Sequence, residues 1–168
     1  MLLLGCSSQP GPGAGTPAAS GTPPGLEDDC RPTTAHIPFI AIVAQPAKLP
    51  AGMSLVRACW KSPALSELQS VTLIYENADK TKSIALAAAN LPVTPRGRPT
   101  VALGGVTGYI DEIPRTDGKT LYGVEFTLSN RAYNVLALLG ADNVVTKDEV
   151  QAVARSIATG APATPAGP

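Results

Sequence analysis

From residue 54 onward the apolar and polar positions of this chain alternate with a period of two, which is the period of side chains along a β-strand. Residues 54–60 read as a strand. Val71-Thr72-Leu73-Ile74-Tyr75 reads as a second, with Val71, Leu73 and Tyr75 on one face. A polar turn over 76–82 leads to a partner over 83–91 that places Ile84, Leu86 and Ala88 together. Residues 92–99 form a loop, and 100–113 read as a strand region interrupted by Gly104, Gly105 and Gly108, where a bulge or tight bend is expected. Asp117-Gly118 signals a hairpin turn. Residues 121–129 then alternate, with Val124, Phe126 and Leu128 on one face and Glu125 opposite; Asn130-Arg131 makes the next turn, and 132–139 return as a strand.

The period changes once, near the C-terminus. Val150, Val153, Ala154 and Ile157 recur at helical spacing. Thr146 and Glu149 have the spacing of a capping box, Val145 and Val150 that of a hydrophobic staple, and Gly160 marks the stop. Strands followed by one amphipathic helix predict an α+β domain: an antiparallel β-sheet with a C-terminal α-helix packed on one face. Earlier in the chain the pattern is less regular. Residues 37–43 are β-branched and apolar, but Pro38 and Pro46 bracket them, which limits the segment to an edge strand or an extended packing segment.

The ends carry a different pattern. Residues 7–25 hold Pro, Gly, Ala, Ser and Thr with no large apolar side chain, and 160–168 are similar. Such segments bury too little surface to offset chain entropy, so both are expected to be disordered, the first as a tether over 7–29. Between them lies one domain, 30–159. Ahead of the tether stands Leu2-Leu3-Leu4-Gly5-Cys6. It resembles the end of a bacterial lipoprotein signal, with Leu3 and Gly5 at the −3 and −1 positions and Cys6 as the thiol that receives lipid. Several acyl chains on one cysteine would hold the protein at a membrane, since each buried CH₂ contributes about 0.8 kcal/mol. A working signal also needs a basic segment and a longer apolar one, which are expected upstream of Met1. Residues 1–6 are then the remnant of the signal, and the domain is expected in the cell envelope on the extracytoplasmic side.

Charge and cysteine count narrow this picture. Thirteen basic and thirteen acidic residues give zero net charge, which argues against nonspecific nucleic-acid binding. With Cys6 lipidated, two of the three cysteines remain, Cys30 and Cys59. In an oxidising compartment they are expected to pair, tying the start of the domain to an early strand and adding about 3 kcal/mol in the chain-entropy model. Two separate thiols are the alternative. A metal site from Cys30, His36 and Cys59 lacks ligand spacing and a fourth donor.

The landmarks also occur in a familiar order. Leu49-Pro50-Ala51-Gly52-Met53-Ser54-Leu55 looks like a Leu-Pro-x-Gly-x-x-Leu opening, followed by the strand 71–75. Val101 to Tyr109 looks like a Val-x-Val-x-Gly-x-x-Gly-Tyr motif. Val124-Glu125-Phe126 with Tyr133 fits a hairpin that often carries Trp in place of Phe126, and 146–157 fits a closing helix. The set, spanning 39–157, resembles an uncharacterised extracytoplasmic domain family found in bacterial lipoproteins and at the outer portions of anti-sigma factors. The resemblance implies a small α+β envelope domain without known catalysis and supplies no functional residue. The Cys30–Cys59 pair and the 62–70 stretch fall outside it.

Motifs that carry chemistry are sparse. His36 is the sole histidine and stands next to Ile37-Pro38 with no nucleophile motif near it. The glycines over 104–108 precede no helix, so a nucleotide loop fails on context. Asp111 and Glu112 are adjacent on a strand and so point to opposite faces, and Glu27, Asp28 and Asp29 read as a solvated acidic patch without calcium-loop spacing. Arg96 and Arg98 are the candidate contacts for an anionic partner. The expectation is therefore a lipid-anchored binding or sensory domain, not an enzyme, with no cofactor and no metal. Its partners would be the membrane through Cys6 and an envelope protein. The alternative is a carrier or chaperone for an apolar ligand such as a lipid.

Overall fold

A computed structural model of the chain describes residues 29–32, 43–61, 70–91, 93–95 and 97–160. The expectations for Cys6, His36, residues 37–42 and 62–69, Arg96 and the tail beyond Gly160 lie outside the described residues. The described residues form eight strands: β1 (Asp29–Pro32), β2 (Met53–Lys61), β3 (Ser70–Asn77), β4 (Ser83–Ala89), β5 (Thr100–Ala102), β6 (Thr107–Pro114), β7 (Thr120–Leu128) and β8 (Arg131–Leu139). One helix follows, α1 (Lys147–Thr159). Asp29, placed at the end of the tether by composition, is the first residue of β1.

The strands form one antiparallel sheet in the order β1-β2-β3-β4-β8-β7-β6-β5. Two meanders are thus joined at their last strands. The chain crosses from β4 at the centre to β5 at the far edge, then works back until β8 pairs with β4. Each hairpin has a local cause. Asn77 Oδ1 accepts the Lys82 N–H at 2.8 Å and Asp79 Oδ1 accepts the Thr81 N–H at 3.2 Å, closing the β3–β4 turn around Lys80 at φ 59°. Asp117-Gly118 turns β6 into β7, with Gly118 at φ 77°.

Two turns differ from the sequence expectation. The strand region over 100–113 is a hairpin, β5–β6. Gly104, at φ 71°, and Gly105 form its turn, and the Leu103 N–H donates to the Val106 carbonyl at 2.9 Å. Gly108 stays inside β6 because a Cβ there would stand 2.9 Å from both Leu103 Cδ1 and Val124 Cγ1, so the fully buried Leu103 occupies its place. The β7–β8 turn is Ser129-Asn130, one residue earlier than expected. Both have positive φ, 49° and 62°, the twist that matches a two-residue hairpin.

One face of the sheet is the core. The register sets Leu73 opposite Leu86, Leu86 opposite Val135 and Val135 opposite Val124, making one apolar row across five strands with Ala58 opposite Leu73. A β-bulge between Leu55 and Arg57 shifts the β2 register by one residue. The next row holds Phe126 stacked on its cross-strand partner Tyr133, ring centroids 5.6 Å apart. Helix α1 lies over β7 and β8 and buries Val150, Val153, Ala154 and Ile157.

The helix start is chemically complete. Thr146 Oγ1 accepts the Glu149 N–H at 3.2 Å, Glu149 Oε2 accepts the Thr146 N–H at 2.9 Å, and Val145 and Val150 are both buried beside the cap. The end differs from a left-handed glycine cap. Gly160 is extended, at φ −65°, and its N–H donates to Ser156 O. A Cβ there would come 2.7 Å from that carbonyl, so space, not handedness, selects glycine.

Three core tyrosines carry polar handles, and each finds a partner at the rim. Tyr75 Oη donates to Gln45 Oε1 at 2.8 Å, Tyr133 Oη accepts the Ala44 N–H at 3.1 Å, and Tyr122 Oη accepts from Gln151 Nε2 at 2.7 Å. The first two bonds dock the segment around the buried Val43 onto the sheet, and the third docks the helix. Burial drives the Tyr75 hydroxyl above its ordinary pKa and keeps it a neutral donor.

Truncating Phe126, which is fully buried, to Ala should cost about 3–5 kcal/mol, whereas Thr146→Ala should cost only about 1 kcal/mol, both read from denaturant unfolding. Equal costs would mean that the stacked Phe126–Tyr133 row is not a packing centre.

Candidate functional site

Alternation that sends one set of side chains to the core sends the other set to the opposite face. There the register lines up Arg57, Ile74, Ala85, Leu136, Gly123 and Asp111 in one row, and Cys59, Thr72, Ala87, Asn134, Glu125 and Tyr109 in the next. Ile74, Ala85, Ala87 and Leu136 are half-buried, as befits positions on the face away from α1. Strand β4 offers methyl groups here, Ala85 between Ile74 and Leu136 and Ala87 between Thr72 and Asn134, while Ala89 faces Ser70 and Ala132. The result is a shallow pocket over β4, β8 and β7 on this face. Ala85, Leu121, Leu136 and Leu138 line it, and the Lys119–Asp142 ion pair at 2.6 Å forms its lip. Gly123 shapes the floor: a Cβ there would stand 2.9 Å from Leu136 Cδ2 and 3.0 Å from Asn134 Oδ1.

The other half of this face is closed by Arg98. Its guanidinium reaches from the loop before β5 to Asp111 Oδ2 on β6 and Glu125 Oε2 on β7, each at 2.6 Å. Nη2 also donates to the Thr94 carbonyl at 2.7 Å, and the guanidinium sits 5.4 Å from the centroid of the Tyr109 ring. The hydrogen bond to Glu125, helped by the charge of both carboxylates, raises the Arg98 pKa further, so its charge is fixed at every accessible pH. Arg98, singled out by sequence as a contact for an anionic partner, thus has its own two carboxylates. Arg96, its companion, is outside the described residues.

The remaining candidates separate. Asp111 and Glu112 point apart: Asp111 binds Arg98, while Glu112 accepts from Lys147 of α1 at 2.6 Å. Lys147 Nζ also lies 5.6 Å from the centroid of the Tyr122 ring. Cys30 and Cys59 are direct cross-strand partners, their Cα atoms 4.0 Å apart and their sulfurs joined in a disulfide on the uncovered face. Among the described residues no three His, Cys, Asp or Glu side chains are gathered as metal donors. No described helix is long and apolar enough to cross a membrane.

Sequence reasoning missed the partners of Arg98. A signal existed in part, because Asp111 and Glu125 occupy outward positions of the alternation. Which outward carboxylates lie together depends on the β6–β7 register, where Asp111 opposes Gly123 and Glu125 opposes Tyr109. The fold and this geometry define the protein as a single-sheet α+β domain in which, among the described residues, no second helix or strand packs on the face away from α1. Compared with protein-family models, curated proteins and solved structures, the chain matches none.

Replacing Arg98 by Met should cost about 1–2 kcal/mol, because Asp111 and Glu125 lose a shared cation while remaining a quarter to a third exposed. The loss should shrink in high salt, and a cost independent of salt would assign Arg98 a packing role only. Glu149 sets an acid limb. Burial alone would raise its pKa, but Lys82 at 2.6 Å and the Thr146 bonds outweigh it and lower the value. A depressed folded pKa means that the stabilisation is complete above the unfolded value of about 4.3 and is lost as pH falls through the folded one. Glu149→Gln, which keeps the cap, should therefore flatten the fall in stability between about pH 5 and pH 3. An unchanged acid limb would show that Glu149 contributes nothing to it.

Proposed function

We propose that the protein is a lipid-anchored domain of the cell envelope that binds or senses a partner and performs no catalysis. The observation that carries the binding half is the sheet face away from α1, where Ala85, Leu121, Leu136 and Leu138 line a shallow pocket beside the Lys119–Asp142 ion pair. Apolar side chains gathered on a surface, rimmed by polar ones, mark interaction sites. The ionic neighbours on this face support recognition over reaction, since Arg98, Asp111, Glu125, Lys119 and Asp142 are committed to one another. The anchoring half rests on Leu2-Leu3-Leu4-Gly5-Cys6 and on the Pro/Gly/Ser-rich stretch behind it. The ordered motifs over 39–157 support membership in the extracytoplasmic family of lipoproteins and anti-sigma-factor outer portions. The partner in this reading is an envelope protein.

The alternative, a carrier for an apolar ligand, would place a cavity between sheet and helix. That space holds Tyr122, Phe126, Val150, Val153 and Ile157, each almost fully buried, so it has less support than surface binding.

The test is the intact mass of the protein extracted from membranes of cells that express it with its upstream reading frame. The expected species begins at Cys6, carries acyl chains and is two hydrogens lighter than the reduced chain. An unlipidated, fully reduced chain beginning at Met1 would overturn the anchoring and the envelope location together. Turnover of an envelope substrate by the purified domain, abolished by a single side-chain change, would overturn the non-catalytic part.

A further inference from the structure

We propose that the Cys30–Cys59 disulfide is a redox latch that controls one strand: its reduction releases β1 and leaves the rest of the sheet intact. Strand β1 comprises Asp29–Pro32 and lies at the sheet edge, where among the described strands it pairs with β2 alone. Pro32, its last residue, has no N–H to give to the ladder. Cys30 and Pro32 are exposed and contribute nothing to the core. Backbone hydrogen bonds by themselves barely offset the entropy of ordering so short an edge. The covalent bond therefore decides whether β1 stays.

Strand β2 does not share this dependence. It pairs with β3 from Met53–Asn77 to Lys61–Ser70, and Ala58 and Trp60 are buried in the core. Breaking the bond thus has a local outcome. It also has an open route, because Cys30 is exposed and the pair sits on the sheet face away from the helix.

The chemistry balances with a dithiol as reductant. One thiolate of the dithiol attacks the Cys30 sulfur, forming a mixed disulfide and expelling the Cys59 thiolate, which takes a proton. The second thiol then attacks within the mixed disulfide, releasing the Cys30 thiolate and closing the reagent's own disulfide. Two electrons and two protons pass to the protein. With β1 gone, the outer edge of β2 has unpaired N–H and C=O groups, the form in which a sheet accepts an added strand. The latch operates whether or not Cys6 carries lipid.

The test is hydrogen exchange followed by mass spectrometry on the full chain, with and without a millimolar small dithiol in the absence of denaturant. The Cys30→Ser/Cys59→Ser double variant serves as the permanently open form. Reduction should speed exchange at least tenfold in β1 and at the β2 amides that face it. Exchange in β7, β8 and α1 should be unchanged, the double variant should match the reduced protein, and reoxidation should restore protection. Three outcomes overturn the proposal: resistance of the bond to the dithiol in the folded protein, full protection of β1 after reduction, or loss of protection throughout the sheet.

Discussion

The pairing of β4 with β8 is the joint on which the molecule depends. It links the two meanders through the longest run of backbone pairing between them, and it does so across a large gap in sequence, Leu86 opposite Val135. A slip of one residue between β4 and β8 would turn one strand over relative to the other, setting Leu86 opposite Leu136 or Asn134 in place of Val135 and mixing the two faces. The apolar content of the two faces prevents it: one side of β4 carries Ile84 and Leu86, the other Ser83 and three alanines. Helix α1 then packs on β7 and β8, next to the joint, and closes the core over it.

Polar contacts locate the pieces that hydrophobic burial leaves free to slide. The three tyrosine hydroxyls at the core rim each fix a separate element: Tyr75 and Tyr133 the segment around Val43, Tyr122 the helix. Arg98 does the same on the opposite face, where the long crossing from β4 to β5 must be held against the sheet. Such a crossing closes a non-local loop, and a directional, charge-assisted contact selects one arrangement of it. Asn143 adds a similar clasp, exchanging hydrogen bonds with the Ser83 backbone at the other end of β4.

Part of the candidate site was legible along the chain. Once Ile84, Leu86 and Ala88 are assigned inward, Ala85, Ala87 and Ala89 must face out, so the small-residue face follows from β4 alone. The separation of Asp111 from Glu112 follows from the same period. Arg98 illustrates where such reasoning stops. A loop arginine between prolines looks available to a partner, but the carboxylates that engage it come from two strands beyond it, and their convergence is a property of register. The β5–β6 hairpin was hidden for a related reason: glycines mark a break in a strand without saying whether the chain bends or reverses.

The chain by itself determined the α+β class, most strand positions, the buried face of each strand and the whole of α1 with its cap. These are short-range properties, set by periodicity and by capping groups a few residues apart. Tertiary structure alone decided the strand order, the meeting of β4 with β8, the partners of Arg98 and the direct opposition of Cys30 to Cys59. Those depend on how distant strands register, and register is chosen by the sum of many weak packing contacts across the sheet, which no local stretch of residues contains.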